Sequence, residues 1–265
     1  MKRLAIVGGG FMGGALAEGL LANGWSAPEL IVAERQPTRS AWLRDHLKVS
    51  VVEDPADAAR EADSVMLAVK PQDIAAAMQS VVQSLAPTGL VISIAAGVRI
   101  QSMQDVFGDR PVIRAMPNTP AAIAMGATAL AKGQYATDTH LVTALNIFGC
   151  VGRTVVVEEG QMDAVTAVSG TGPAYVFLLA EALIEAAQAE GLTQEQAYAL
   201  TYQTFAGAAR LLTHDPASPA ELRRRVTSPN GTTHAAVTHL QNSNWSQVFR
   251  EAVHAARVRS EELGS

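Results

Sequence analysis

The run Val7-Gly8-Gly9-Gly10-Phe11-Met12-Gly13-Gly14 constrains this chain more than any other feature. It holds G-x-G-x-x-G at Gly8, Gly10 and Gly13, directly after the apolar stretch Leu4–Val7 and ahead of a helical one. In a strand–turn–helix unit each glycine has a task. Gly8 makes the tight turn, Gly10 lets the backbone approach a pyrophosphate, and Gly13 lets helix and strand pack closely. The helix start then offers N–H groups and the positive end of a dipole to phosphate. A glycine-rich turn without a ligand is the plainer reading; the strand before and the helix after it favour a dinucleotide site.

The pattern continues in kind. Short β-rich runs at Leu4–Val7, Leu30–Ala33, Val49–Val52, Val65–Val69, Leu90–Ile94 and Val112–Arg114 alternate with helical stretches at Gly13–Asn23, Thr38–His46, Pro71–Leu85 and Asp138–Phe148. Ala127–Ala131 and Thr154–Val157 extend the series. Nearly continuous apolar strands with helices between them are what a parallel sheet covered on both faces requires. Residues 1–158 therefore read as a doubly wound α/β domain. After Glu159 the strand signals stop, and residues 159–265 read as an all-α domain. Its helices are punctuated by Gly191, by the capping-box spacings Thr193-Gln194-Glu195-Gln196 and Ser218-Pro219-Ala220-Glu221, and by Asn244 with Gln247.

Composition removes several classes of function. A net charge of −5 argues against a nucleic-acid surface, and one cysteine excludes a disulfide framework. The six histidines form no H-E-x-x-H or similar cluster, so no metal site is expected. Cys150 has no cationic neighbour in sequence and reads as a structural thiol. The basic start Met1-Lys2-Arg3 is followed by only four apolar residues, too few for a signal peptide. Pro173–Ala189 carries Glu181 and Glu185 and reads as a helix of a soluble, cytoplasmic protein rather than a bilayer span. Residues 161–213 hold just six charges, Asp163, Glu181, Glu185, Glu190, Glu195 and Arg210. A small helical domain cannot hide so much apolar surface alone, so its helices are expected to bury against a second subunit.

Glu34 and Arg35 follow the second strand. An acid there binds a ribose 2′-hydroxyl and favours NAD, while an arginine pairs with the 2′-phosphate of NADP. The two point in opposite directions; the reading leans to NADPH through Arg35, with NADH open.

Five further segments carry a resemblance: Ala68-Val69-Lys70-Pro71-Gln72, Ser93-Ile94-Ala95-Ala96-Gly97, Arg114-Ala115-Met116-Pro117-Asn118-Thr119-Pro120, Ser169-Gly170-Thr171-Gly172-Pro173-Ala174-Tyr175 and Val226-Thr227-Ser228-Pro229-Asn230-Gly231-Thr232-Thr233. In this order, with the glycine loop, they resemble the pyrroline-5-carboxylate reductase family over essentially the whole chain. Phe11 stands where many members carry asparagine, and Asn230 where glycine is usual. The resemblance implies a Rossmann-type domain followed by a helical domain that dimerises by interleaving, often within larger rings. It implies NAD(P)H-dependent reduction of a cyclic imine, Δ1-pyrroline-5-carboxylate, to L-proline. By position, Gly8, Gly9, Gly10, Phe11, Met12 and Gly13 would hold pyrophosphate and Arg35 the 2′-phosphate. Val69, Lys70 and Pro71 would line the cofactor groove, and Ala95, Ala96, Gly97 and Asn118 would lie nearer the nicotinamide. Ser228, Gly231, Thr232 and Thr233 would bind substrate, with Thr233 orienting or protonating the imine nitrogen.

The residues of that last loop support it separately. Asn230-Gly231 is a turn signal, and a helix beginning at Thr232 offers N–H groups to a small carboxylate. An ordinary threonine N-cap is the alternative. Arg223-Arg224-Arg225 could raise the local potential for an anion or form a solvated helix face, and the role of Glu159 is likewise open. A β-hydroxyacid dehydrogenase would need a lysine on the first long helix after the junction, but the last lysine is Lys132. A reductase of six-membered cyclic imines, and a non-catalytic NAD(P) sensor, stay open; turnover assays distinguish them.

Overall fold

A computed structural model describes residues 3–264; Met1 and Lys2, which open the basic start, lie outside the described residues, as does Ser265. Eight strands form one sheet: β1 (Leu4–Val7), β2 (Leu30–Ala33), β3 (Ser50–Val52), β4 (Ser64–Leu67), β5 (Leu90–Ser93), β6 (Val112–Met116), β7 (Gly126–Lys132) and β8 (Gly152–Val156), in the order β3-β2-β1-β4-β5-β6-β7-β8. β1 to β6 are parallel. Strands β1, β2, β4 and β5 are buried along their whole length, which is why they read as apolar runs rather than alternations. Successive residues serve opposite faces: Ala5 and Val7 join one core, Leu4 and Ile6 the other.

β7 departs from the expected parallel order and runs antiparallel to β6. Its connection is built on the short 3-10 turn Thr119–Ile123, too short for a parallel crossover, which takes a dozen or more residues.

The helices over this sheet include α1 (Phe11–Ala22), α2 (Pro37–Trp42), α3 (Pro55–Arg60), α4 (Ile74–Val82), α5 (Ile100–Phe107) and α6 (Asp138–Gly149). Sequence reading missed α3 and α5, which are six and eight residues long. The Asp54 carboxylate starts α3 by accepting from the Ala56 N–H at 2.9 Å.

The change to purely helical structure falls where the sequence places it, since β8 is the last strand. The packing units divide elsewhere. One comprises the residues up to Thr171 together with those from Ala256 onward, the other Gly172–Ala255. α7 (Met162–Val165) belongs to the first unit because Met162 is fully buried in the sheet's core. The second unit holds α8 (Gly172–Ala189), α9 (Gln194–His214), α10 (Pro219–Arg225), α11 (Thr232–Asn242) and most of α12 (Trp245–Leu263). Within it α8 packs on α9, and Tyr175 meets Phe249 edge to face at 5.4 Å.

Candidate active site

The order of the sheet reverses between β1 and β4, and a crevice forms where the carboxyl ends of these neighbours diverge. The glycine loop enters it from β1. Gly8 has φ +105°, and a Cβ there would come within 2.7 Å of the Ala68 carbonyl oxygen. A Cβ on Gly13 would collide with the Gly8 carbonyl. Gly10, by contrast, caps α1 and has open space where its side chain would be. The turn and the close packing are those the spacing predicts, and the open space at Gly10 leaves room for the phosphate approach it implies. Phe11 opens α1 with its side chain in solvent, and Met12 packs against the core beneath.

A groove of about 400 Å³ runs on from the loop. It is lined by Gly8, Gly10, Glu34, Arg35, Gln36, Glu53, Val69 and Lys70 among others. Arg35 is exposed at its edge. Pro71 is not among the lining residues, but the 3-10 turn it starts contributes Gln72 and Asp73 to the groove. The open cradle at Gly10, the groove beyond it and the two cations at its margin fit a phosphorylated dinucleotide.

The role of Glu34, which the sequence left open, is seen in its backbone partners. Its carboxylate accepts from the Gly9 N–H at 3.0 Å and from the Gln36 N–H at 2.8 Å, bracing the loop. Arg39, which sequence reading passed over, braces the same loop. Its Nε donates to the Gly9 carbonyl at 2.5 Å, and its guanidinium lies 4.1 Å from the Trp42 ring centroid. The available signal was Arg39 and Trp42 three apart on one helix.

Ala95, Ala96 and Gly97 leave the carboxyl end of β5. Asn118 follows β6, and its side-chain amide holds the backbone: Oδ1 accepts from the Ala127 N–H at 2.8 Å and Nδ2 donates to the Ser169 carbonyl at 3.1 Å. Glu159 accepts from the Ile100 N–H at 2.6 Å and faces the buried Arg114. Cys150 is partly buried, donates to the Asn146 carbonyl at 3.2 Å, and burial pushes its thiol pKa up.

In the second unit, Asn230 takes the left-handed conformation at φ +58° and Gly231 closes the turn by donating to the Ser228 carbonyl at 3.1 Å. A Cβ on Gly231 would strike the Ser228 hydroxyl. Gly231 is the N-cap of α11, so the helix start has no side-chain cap, and Thr232 and Thr233 are its first two residues. The threonine N-cap alternative is thereby removed. Ser228 is exposed and Thr233 half-buried. Two of the three preceding arginines are paired. Arg224 forks onto Glu221 at 2.8 Å, and Arg225 reaches Asp215 at 2.8 Å and Glu221 at 3.3 Å. The Ala217 N–H, and then Arg225, hold the Asp215 carboxyl below the usual carboxylate range.

Residues 159–263 match the family model for pyrroline-5-carboxylate reductase dimerisation, and residues 3–97 match that for the coenzyme F420-dependent NADP oxidoreductases. The chain belongs to the pyrroline-5-carboxylate reductase family. It is 41% identical to the pyrroline-5-carboxylate reductase of Mycobacterium leprae, covering 99% of this chain and 97% of that protein. It is also 41% identical to the Pseudomonas aeruginosa enzyme, covering 98% and 96%. Among solved structures, the Coxiella burnetii pyrroline-5-carboxylate reductase superimposes with a TM-score of 0.95 at 37% identity, covering 100% of this chain and 99% of that one. The Plasmodium falciparum pyrroline carboxylate reductase, solved with NADP bound, gives 0.89 at 28% identity, with 100% and 98% covered.

Proposed function

We propose that the reaction is NAD(P)H-dependent reduction of the cyclic imine Δ1-pyrroline-5-carboxylate to L-proline, the last step of proline biosynthesis, with the glycine-loop groove as cofactor site and the Ser228–Thr233 loop as imine site. Family membership over the whole chain supports the activity. The uncapped start of α11 is the observation that carries the assignment of the imine loop.

Bound NADPH supplies the hydride that adds to the imine carbon. The chain's own residues bind and orient. Gly8–Gly13 and the start of α1 receive the pyrophosphate, Arg35 the 2′-phosphate, and Val69, Lys70 and Pro71 the body of the cofactor. Glu34 supports NADPH over NADH, because a backbone N–H already engages each of its carboxylate oxygens, which leaves fewer acceptor sites for a ribose diol. Ala95, Ala96, Gly97 and Asn118 belong to the nicotinamide side. Ser228, Gly231 and Thr232 hold the substrate carboxylate at the helix start. The Thr233 hydroxyl aligns the ring nitrogen or relays a proton to it, the hydroxyl regaining its proton from water. A protonated iminium is already electrophilic, so alignment contributes more than a strong acid would.

The test is Thr233→Ala. Loss of a hydrogen bond to a charged group is worth about 1.5–3 kcal/mol, so kcat/KM for the imine should fall roughly ten- to hundredfold, with NADPH affinity nearly unchanged. Wild-type kinetics in the variant would remove Thr233 from the site.

The family carries a dimerisation domain, and the chain accordingly works as a homo-oligomer. We place it as a soluble cytoplasmic homodimer, with assembly of dimers into a larger ring as the finer expectation.

A further inference from the structure

The loop between β5 and α5, residues 94–99, is held at three points, two of them by residues far away in sequence. At its start the Ser93 hydroxyl, fully buried, accepts from the Ala95 N–H at 3.3 Å. At its end Glu159 Oε1 accepts from the Ile100 N–H, the first of α5, at 2.6 Å. A carboxylate there supplies the cap that Arg99, the N-cap residue, does not. In its middle Gly97, at φ +77°, lies against the last turn of α12. A Cβ on Gly97 would come within 3.0 Å of the Leu263 carbonyl oxygen, and one on Gly264 within 2.6 Å of the Gly97 oxygen.

The two distant ties share one hub. Arg114, on β6 opposite Ser93, has a side chain only 5% exposed. Its guanidinium faces Glu159 at 3.5 Å and Asp163 at 3.8 Å. Asp163 in turn accepts from the Ser260 hydroxyl at 2.7 Å, and Ser260 is the one buried residue of α12. A buried cation with two carboxylates survives only if geometry and hydrogen bonds offset its desolvation. Here both carboxylates have a further donor, and each donor belongs to an element that touches the 94–99 loop.

We propose that Arg114, Glu159, Asp163 and Ser260 form a positioning device for the nicotinamide-side loop, with Glu159 as the positioning residue that fixes the loop's exit and Ser260 seating the end of α12 against Gly97. The assignment rests on the reading of Ala95–Gly97 as the nicotinamide side. None of the four residues is required to touch cofactor or substrate. Their work is to hold the loop backbone rigid, so that misplacement by a fraction of an ångström does not erode alignment for hydride transfer.

The experiment compares Glu159→Ala, Glu159→Gln and Ser260→Ala with wild type in three readouts: turnover of pyrroline-5-carboxylate with NADPH, fluorescence of NADPH bound without substrate, and affinity for adenosine 2′,5′-bisphosphate, which reports the adenosine half alone. Glu159→Ala should lower kcat about tenfold, the equivalent of one charge-assisted hydrogen bond, and diminish the fluorescence gain on binding. Bisphosphate affinity should stay within about twofold, since the adenosine site is separate. Glu159→Gln, which keeps an acceptor for the Ile100 N–H, should recover most of the loss, and Ser260→Ala should show a smaller effect of the same kind. Unchanged kcat and fluorescence in Glu159→Ala would overturn the proposal. So would a bisphosphate affinity that falls in step with the rest, which marks general damage to the fold. If wild type binds NADPH but reduces no imine, the functional reading fails, while the fluorescence and bisphosphate results still decide the positioning role.

Discussion

Two helices of similar composition meet opposite fates in this molecule. α1 is twelve residues of mostly small and apolar side chains, and Gly13, Gly14, Ala15, Leu16, Ala17 and Leu20 are buried against the sheet. α8 is eighteen residues, equally apolar, and none of them is buried. Phe177 is 61% exposed and Leu178 66%. Elsewhere in that unit only Ala197 and Thr201 on α9 are buried. The stretch Glu159–Ala189 is long and apolar enough to cross a bilayer by length and composition. The dimerisation family to which residues 159–263 belong gives that surface another destination, a second copy of the chain. Burying one large apolar side chain is worth about 1.5–3 kcal/mol, so a face of this size is a strong drive to associate. The first unit completes its core within one chain; the second leaves an apolar face that the proposed association would cover.

A charge on the open face should break this contrast most severely. If α8 meets its copy, Leu178→Glu would place an unpaired carboxylate in that contact at a cost of about 3–5 kcal/mol. Light scattering should then report monomer where wild type is oligomeric. A variant that stays associated would mean that α8 faces something other than its copy. Leu16→Ala probes the other side of the comparison. Leu16 is fully buried, and its truncation should lower unfolding stability by about 2–5 kcal/mol without changing the association state. If chemical denaturation showed dissociation and unfolding lowered together, the two units would not be independent.

The smallest effect concerns acid. Asp215 holds Arg225 just ahead of the Ser228–Thr233 loop, and its carboxyl pKa is depressed in the folded chain, chiefly by the Ala217 N–H. A depressed carboxylate stabilises fully above its unfolded pKa, about 3.9, and loses that contribution as pH falls through the lower folded value. Asp215→Asn should therefore melt below wild type at neutral pH, with the gap closing in melts recorded below about pH 4. A gap that widened in acid would refute the assignment.

Much of the fold could be read from the chain. The strands announced themselves as short apolar runs because both sheet faces are covered, and Gly8 and Gly13 sit in the turn and packing roles their spacing implies, with Gly10 left open. The helix start at Thr232 was legible too, because Asn230-Gly231 is a local turn signal. Helices α3 and α5 escaped because they are too short to show a period. The place of Glu34 after β2 left a ribose contact open, and only the fold shows its carboxylate turning back onto the Gly9 and Gln36 backbone. Asn118 was recognised by motif, but its engagement with Ala127 and Ser169 was not.

What the sequence by itself determined is whatever depends on neighbours a few residues away: the strand and helix periods, the phosphate loop, the caps and the turn before α11. Only the tertiary structure decided the antiparallel course of β7, the partners of Glu34 and the buried cluster on Arg114. Arg114 meets a residue 45 positions away, and Asp163 meets one 97 positions away. Hydrogen bonds and ion pairs act over a few ångströms, so a pattern of local spacing carries no record of which distant side chains the fold will bring within that reach.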